Sequence, residues 1–442
     1  MNMHLKTLVD VFHATRLQSV LNCESLELDD YGLQAEPFVS PPKWHLAHTS
    51  WFFETFILKP FMEDYNVFHP AYEMLFNSYY NAVGNQFPRP QRGLLSRPIL
   101  SEVMAYRDHV DSAMADLLGQ DNHQERLSII QRCRLGIEHE KQHQELLYTD
   151  IKFSLFRNPL YPAFLTENVN HHEGSMDPVA EKVQWQSFTG GLVEIGKSLA
   201  PREIDTNDLG SDVFGFDGFL FDCETPNHQV YLSPFALSKR LVNNREFQAF
   251  IDDGGYQKPE FWLSDGWAVV QKEQWQQPLY WLDLDGVGME YTLYGLQKRQ
   301  PHQPVCHVSG YEADAFASWA KARLPTEQEW EYAVTQQGHR PIEPSKIFHP
   351  QFCSDSEDEA VEKGLLHLYD RCWQWTASAF RPYPGYNPAK GALGEYNGKF
   401  MSGQWVLRGG SCVTSADHLR PSYRNFFYPQ DRWQFSGIRL AK

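Results

Sequence analysis

The sequence predicts a two-domain protein, in which an N-terminal four-helix bundle precedes an α+β domain with much irregular structure. Its 442 residues exceed what one ordinary hydrophobic core accommodates. Helical spacing of apolar residues prevails up to residue 156, whereas Gly, Pro, Trp, Tyr and short β-like runs are frequent beyond residue 182. We therefore expect a helical domain at 1–165, a linker at 166–182 and a second domain at 183–442.

Four segments of the first domain have helical character, and most simply they form an up-down bundle. They lie at 5–21, 43–61, 99–118 and 125–156. The second follows two prolines and repeats large side chains at 4-3-4-3 intervals, and Ser101 is a candidate N-cap of the third. The stretch between these two helices, 65–98, is too long for a plain turn, and long loops inside compact domains are often functional.

The second domain combines short strands with at least two helices. The runs at 190–196 and 228–239 are β-like, and 312–322 has the pattern of a helix. Another helix begins after Thr326, which is spaced to form a capping box with Glu329. The "RGGS" string that begins at position 408 predicts a tight turn with a positive φ angle.

Composition excludes several classes of protein. The formal net charge of −17 disfavours nucleic acid and anionic membrane surfaces as partners. No apolar run is long enough for a transmembrane helix, and the N-terminus lacks the pattern of a secretory signal. The seven cysteines form no CxxC pair, which excludes a disulfide or zinc-ribbon framework and indicates a reducing cytoplasm.

The string "EHEKQHQELLYTDIK" carries two histidines, His139 and His143, four residues apart in the fourth predicted helix. At that spacing both imidazoles can point at one ion. The pair shares a stripe with Leu135 and Leu146, which should face the bundle interior, where an unpaired imidazole is costly. Nearby glutamates, including Glu140, could orient an imidazole N–H. The alternative is a buried, hydrogen-bonded histidine pair that only braces the bundle.

The second predicted helix offers a third metal ligand. His48 lies on the apolar stripe with Trp44 and Trp51, whereas His45 lies about 60° away around the helix axis. The stripe position favours His48 as a ligand and leaves His45 as a supporting or surface residue. Three histidines leave open coordination positions, which suits either zinc hydrolysis or a non-haem Fe(II) that binds substrate and O₂.

The long loop carries arginines and tyrosines that suit a binding site. Arg89 and Arg92 can grip a carboxylate with two hydrogen bonds. Tyr79 and Tyr80 offer phenols that can donate a proton or a hydrogen atom near a metal. The alternative is a solvated basic loop with one core tyrosine.

Taken together, the motifs resemble those of the ergothioneine-pathway sulfoxide synthases. The bundle motifs are "SPPKWHLAHTSWFFETF", "FNSYYNAVG…PRPQRGLLSRP" and "EHEKQHQELLYTDIK"; those of the second domain include "RLPTEQEWEYA", "WQWTAS" and "LRGGS…RPSYRN…FSGIRLA". The resemblance spans nearly the whole chain. It implies a DinB-like four-helix bundle followed by a formylglycine-generating-enzyme-like (sulfatase-modifying-factor) domain.

The resemblance also implies a cofactor and a reaction. A mononuclear Fe(II) would be held by His48, His139 and His143, the positions that match the family's ligands. With O₂ as co-substrate, such an enzyme joins a cysteine-type thiol to imidazole C2 of hercynine (Nα-trimethylhistidine) and oxidises the sulfur to the sulfoxide. Arg89 and Arg92 match the pair that holds the thiol's carboxylate, and Gln142 matches a position beside the histidine-derived substrate.

Other matched positions separate two branches of the family. Asn425 matches a residue that faces the trimethylammonium-carboxylate end of hercynine, with Phe426 and Phe427 as an aromatic wall. Enzymes that use γ-glutamylcysteine have Asp where Phe427 stands and a basic residue further on, where Asp431 stands here. They also have a catalytic tyrosine before "LRGGS", for which Tyr396 is the nearest candidate but lies out of register.

The "SYY" string resembles instead the branch thought to use free cysteine, with Tyr79 and Tyr80 near the iron. The resemblance therefore favours cysteine over γ-glutamylcysteine as the thiol donor. The tyrosine would supply a proton-coupled electron and so suppress oxidation of the thiol alone.

Two other enzymes are alternatives. One is the 5-histidylcysteine sulfoxide synthase of ovothiol synthesis, which uses unmethylated histidine and commonly carries an added methyltransferase domain; this chain ends soon after "GIRLA". The other is a formylglycine-generating oxidase, which needs two cysteines in the loop after "RGGS", where only Cys412 is present. A metal-stabilised binding module is the non-enzyme alternative.

Overall fold

The computed structural model describes residues 7–120, 123–166, 183–198, 219–338, 341, 348–351 and 364–442. Nearly all of the predicted linker lies outside these residues. The chain divides into two compact units. The first unit comprises Met1–Phe164, Ala200–Phe221 and Pro388–Tyr396, and the second comprises Leu165–Leu199, Asp222–Asn387 and Asn397–Lys442. The first unit therefore includes a segment, Pro388–Tyr396, that the sequence assigns to the second domain.

The predicted helical N-terminal part is confirmed. Its helices are α1 (Leu8–Leu21), α2 (Pro42–Phe53), α3 (Lys59–Phe61), α4 (Tyr72–Leu75), α5 (Leu100–Leu118) and α6 (Arg126–Phe156). A π-helical turn at Glu54–Leu58 joins α2 to α3 without a break. Helix α1 packs against α5 and α6, and α2 packs against the same two helices. The long loop contains α4 and a 3₁₀ helix at Arg89–Leu94.

Local signals explain where the helices begin. Thr7 caps α1 and forms a capping box with Asp10. The expected N-cap at Ser101 is wrong, because α5 begins at Leu100 and Ser101 already lies in its first turn. Ile99 occupies the cap instead, and the Glu102 carboxylate accepts the Ile99 N–H at 2.7 Å.

Buried ion pairs tie three of these helices together. Arg16 of α1 and Arg107 of α5 both reach Glu140 of α6, with N–O distances of 2.9 and 3.1 Å. Arg16 also pairs with Asp111 at 2.7 Å. A buried carboxylate is costly unless it is fully paired, so these contacts fix the rotation of α6 next to His139. The Glu140 carboxylate thus binds arginines rather than orienting a histidine.

The second unit has mixed structure, as predicted. Its strands are β1 (Trp185–Phe188), β2 (Gly191–Ile195), β3 (His228–Leu232), β4 (Phe235–Ser238), β5 (Trp281–Leu284), β6 (Val287–Thr292), β7 (Gly295–Lys298), β8 (Trp373–Ala379), β9 (Trp405–Arg408), β10 (Asn425–Phe427) and β11 (Ser436–Gly437). Its helices are α7 (Asn244–Asp252), α8 (Ser264–Glu273), α9 (Gly310–Trp319) and α10 (Glu327–Gln337).

The described strands form four small sheets. The largest has the order β10–β9–β8–β11, in which only the β11–β8 pair is parallel. The others pair β1 with β4, β2 with β3, and β5, β6 and β7 in sequence. The capping box of Thr326 and Glu329 is present, and Gly409 of "RGGS" has the expected positive φ, +99°. Among the described residues, no helix has the length and apolar character needed to cross a bilayer.

Candidate metal centre

Helices α2 and α6 bring three histidines together in the first unit. One imidazole nitrogen from each of His48, His139 and His143 lies within 4.8 Å of the others. Ring centroids are 5.0 Å apart for His48 and His139, 4.7 Å for His48 and His143, and 4.6 Å for His139 and His143. The stripe argument therefore identified three residues that converge in space.

His48 has one ring nitrogen bound and the other available. Its Nδ1 lies 2.6 Å from the Phe76 carbonyl oxygen, so Nδ1 carries the proton. Nε2 is buried, and no described residue forms a hydrogen bond with it. The rings of Trp44 and Trp51 stack on this imidazole, with centroids at 4.5 and 5.4 Å. Metal-binding histidines usually donate one ring N–H to an acceptor such as a backbone carbonyl and present the lone pair of the other nitrogen to the metal.

The end of α4 anchors this histidine and its two tryptophans. Trp44 and Trp51 donate their indole N–H groups to the carbonyls of Leu75 and Glu73, at 3.3 and 3.0 Å. Together with the Phe76 carbonyl, these make three backbone acceptors near the C-terminus of α4. They accept from three rings of α2, which lie at intervals of four and then three residues. Carbonyls at a helix C-terminus lack helical partners, so the arrangement pairs groups that would otherwise be unsatisfied.

His139 is the clearest sign that the cluster accommodates an ion. It is 3% exposed, and neither of its ring nitrogens has a hydrogen-bond partner among the described residues. Burial lowers the pKa of His139 to about 3, so the imidazole is neutral at physiological pH. Leaving a buried polar group unpaired is costly, and a metal ion bound to the lone pair would remove that cost at one of the two nitrogens. The residues therefore fit a metal site.

His143 is held from behind by a second histidine. Its Nδ1 lies 2.8 Å from Nδ1 of His45, and Nε2 of His45 lies 3.1 Å from a carboxylate oxygen of Asp150. His45 is thus a buried supporting residue, not a surface one. Burial, followed by the neighbouring His139 and His48, holds the pKa of His143 well below its usual range. Metals bind neutral imidazole, so this environment favours coordination.

The tyrosine pair lies in the loop that precedes the arginines. Tyr80 is fully buried, and its ring packs against Trp51 and Phe56 with centroids at 5.6 and 5.0 Å. Tyr79 stacks on it at 4.5 Å, and the two hydroxyl oxygens are 3.3 Å apart. Burial, then Tyr79 and Tyr396, raise the pKa of Tyr80 well above its ordinary value, so the phenol keeps its proton.

Tyr396 is the residue that helical spacing did not find. Its ring centroid lies 5.8 Å from that of His139, and its hydroxyl donates to Oε1 of Gln142 at 2.5 Å. The preceding Glu395 accepts the backbone N–H groups of Asn81 and Ala82, at 3.1 and 2.8 Å. These bonds join the segment to the tyrosine loop within the first unit. The only signal in the sequence was a tyrosine upstream of "LRGGS".

The two arginines have different environments. Arg92 is 4% exposed, lies over the Trp44 ring at 3.3 Å and donates from Nη1 to the Ser40 hydroxyl at 2.9 Å. Its Nε has no hydrogen-bond partner within the described ranges. Burial, and next the positive charge of Arg89, lower its pKa well below the ordinary value. No carboxylate of the described residues lies within ion-pair distance of Arg92, so this buried cation suits an anionic ligand. Arg89 is exposed and donates to the Phe38 carbonyl.

Asn425, Phe426 and Phe427 lie in the second unit, where they form β10 beside β9. Phe426 stacks on Phe380 with centroids 4.2 Å apart, and Phe427 packs edge-on against Trp433 at 5.7 Å. The role of these three residues in binding hercynine stays a prediction.

Comparison with known proteins agrees with this architecture. Residues 187–442 match the family model of the sulfatase-modifying factor enzyme 1-like domain. The hercynine oxygenase of Mycolicibacterium smegmatis is 30% identical, and the match covers 94% of each chain. That of Mycolicibacterium thermoresistibile is 29% identical, with 94% of this chain and 91% of the relative covered.

A eukaryotic relative matches over a shorter length. Ergothioneine biosynthesis protein 1 of Schizosaccharomyces pombe is 23% identical, with 60% of this chain and 32% of that protein covered. The matched domain and the two nearly full-length relatives agree with the motifs of both halves of the sequence. The chain therefore belongs to the family of ergothioneine-pathway sulfoxide synthases that includes the hercynine oxygenases.

Proposed function

We propose that this protein is an iron- and O₂-dependent sulfoxide synthase that joins the sulfur of cysteine to imidazole C2 of hercynine. The observation that carries the proposal is the cluster of His48, His139 and His143. Buried ring nitrogens of His48 and His139 have no hydrogen-bond partner in the described part of the chain. Three imidazoles leave coordination positions open for substrates, which suits Fe(II). Fe(II) bound there would supply the reduction of O₂.

The proposed reaction balances without an added reductant. Hercynine loses the hydrogen on C2, cysteine loses the hydrogen on sulfur, and a C–S bond forms between them. One oxygen atom of O₂ becomes the sulfoxide oxygen, and the other leaves as water with the two hydrogens. The two substrates together supply all four electrons that reduce O₂.

Gln142 and Tyr396 support the binding of the imidazole substrate. The Tyr396 hydroxyl donates to Oε1 of Gln142, which fixes the orientation of that side-chain amide. We therefore assign Tyr396 to positioning Gln142 beside hercynine. Asn425, with the neighbouring Phe426 and Phe427, would hold the trimethylammonium-carboxylate end, as the resemblance implies.

Arg92 supports the binding of an amino-acid thiol. Its buried guanidinium lacks a carboxylate partner among the described residues, and a substrate carboxylate would supply one. Arg89 would assist from the exposed edge of the loop. Free cysteine is favoured over γ-glutamylcysteine because the tyrosine pair resembles that of the cysteine-using branch, and because Phe427 stands where the γ-glutamylcysteine-using enzymes have Asp.

Tyr80 is the proposed proton donor, and Tyr79 supports it through the contact between their hydroxyls. The buried phenol keeps its proton until the reaction requires it. Loss of this donor should divert the enzyme toward oxidation of the thiol without formation of the C–S bond.

One assay tests the proposed function. The anaerobically purified protein receives Fe(II), hercynine and either cysteine or γ-glutamylcysteine, then O₂, and the products are identified by mass spectrometry. We expect hercynylcysteine sulfoxide from cysteine. No sulfoxide adduct with either thiol would contradict the proposal, and an adduct from γ-glutamylcysteine alone would overturn the choice of thiol. Histidine in place of hercynine tests the ovothiol-type alternative.

A further inference from the structure

A hydrogen-bonded chain of buried residues lies behind His143. From His143 it passes to His45 at 2.8 Å and from His45 to Asp150 at 3.1 Å. The backbone N–H of Ser40 donates to the same Asp150 oxygen at 2.8 Å, and the Ser40 hydroxyl accepts from Arg92 at 2.9 Å. One network thus connects a candidate metal ligand to the candidate carboxylate-binding arginine.

The chemistry of the groups fixes where the ring protons are. A carboxylate oxygen accepts, so Nε2 of His45 donates to Asp150. In the tautomer that has its hydrogen on Nε2, the His45 imidazole accepts at Nδ1. Nδ1 of His143 must therefore carry the hydrogen of the bond between the two rings. That tautomer leaves the lone pair of His143 on Nε2.

We propose that His45 and Asp150 are positioning residues of the metal centre, which hold His143 in the tautomer and orientation that present Nε2 to the ion. The inference rests on the proposed metal-binding role of the three histidines. Both residues are almost fully buried, at 4% and 2% exposure, so water does not compete with their hydrogen bonds. His45 thus does for His143 what the Phe76 carbonyl does for His48.

The Phe76 carbonyl and Nδ1 of His45 differ in what makes each of them an acceptor. A backbone carbonyl can only accept, whereas an imidazole accepts at Nδ1 only while its other nitrogen is the donor. Asp150 supplies the group that keeps His45 in that state. Ser40 also links the same carboxylate to Arg92, because its N–H donates to Asp150 and its hydroxyl accepts from the arginine. Asp150 therefore helps to position both the Arg92 side chain and His143.

Paired substitutions at His45 test the inference by the affinity of the full-length protein for Fe(II), measured anaerobically. His45→Phe keeps an aromatic ring but removes the acceptor, and it should weaken binding roughly 10- to 100-fold, the usual effect of losing such a supporting bond. His45→Asn places an amide oxygen near the position of Nδ1 and should recover most of the affinity. Asp150→Leu should resemble His45→Phe.

A matched control removes a buried, hydrogen-bonded imidazole elsewhere. His418 is 1% exposed and bonds to the Tyr423 hydroxyl in the second unit, so His418→Phe should leave Fe(II) affinity unchanged. If His45→Phe binds Fe(II) as tightly as the parent chain, the inference is wrong. If the parent chain binds no Fe(II), the proposed metal centre itself is wrong.

A second measurement uses the unsubstituted protein without metal. Nitrogen-15 shifts of the imidazoles in the metal-free protein distinguish the two neutral tautomers. We expect Nδ1–H for His143 and Nε2–H for His45. The opposite tautomer at His143 would overturn the inference even if the His45 variants failed to fold.

Discussion

At the scale of single residues, the candidate site consists of neutral imidazoles and protonated phenols. Burial lowers the pKa of the ligand histidines and raises that of Tyr80, so each group is in the state that metal binding or proton donation requires. Tyr396 extends the site by one further phenol, whose hydroxyl is bound to Gln142. Tyr396 could have either of two roles, orienting the Gln142 amide or donating a proton, and the effect of its substitution on KM and kcat distinguishes them.

We expect Tyr396→Phe to raise the KM for hercynine with little change in kcat. The substitution removes one neutral hydrogen bond, which typically contributes about 0.5–1.5 kcal/mol, or up to about a tenfold change in KM. Steady-state formation of the sulfoxide at varied hercynine measures both constants.

Tyr80→Phe is the comparison variant. It should lower sulfoxide formation roughly 10²- to 10⁴-fold, the range for loss of a general acid, and increase oxidation of the thiol. If kcat instead fell by that factor in Tyr396→Phe and was unchanged in Tyr80→Phe, Tyr396 rather than Tyr80 would be the proton donor.

At the scale of elements, periodicity accounts for most of what the sequence predicted. His139 and His143 share a face because a helix repeats every 3.6 residues, and the 4-3 spacing around His48 placed it on the same side of α2 as its two tryptophans. The same rule says nothing about Tyr396, which lies 254 residues from Gln142 in the sequence. It also could not show that Glu140 would pair with two arginines from other helices.

Close packing of α2 and α6 holds the ligands in place, and Gly136 makes it possible. A Cβ atom there would lie 2.5 Å from a ring carbon of Phe53, a distance that real contacts do not reach. Gly136→Ala should destabilise the protein by about 1–3 kcal/mol, because overpacking forces the helices apart, and should weaken Fe(II) binding one turn away. Thermal or denaturant unfolding of the metal-free protein measures the first effect.

Gly119→Ala is the matched control for that prediction. Gly119 is the C-cap of α5 with a φ of −73°, and an added Cβ would have its nearest neighbour at 3.4 Å. It should therefore cost little stability. Equal effects of the two substitutions would show that the α2–α6 contact is not tightly packed.

At the scale of the whole molecule, composition and the spacing of apolar residues predicted two different kinds of structure along the chain. The helical bundle and the mixed second part were predictable because short sequence patterns favour helices or strands locally. The membership of Pro388–Tyr396 in the first unit was not, because it depends on contacts such as those of Glu395 with Asn81 and Ala82. Long-range pairings of this kind leave no periodic signal in the sequence.

The central claim is that His48, His139 and His143 together hold one Fe(II). Anaerobic equilibrium titration of the full-length protein with Fe(II), compared with His48→Ala, His139→Ala and His143→Ala, tests it most directly. We expect one ion per parent chain and, in each folded variant, a large loss of affinity together with loss of sulfoxide formation. Undiminished binding in all three variants would contradict the claim.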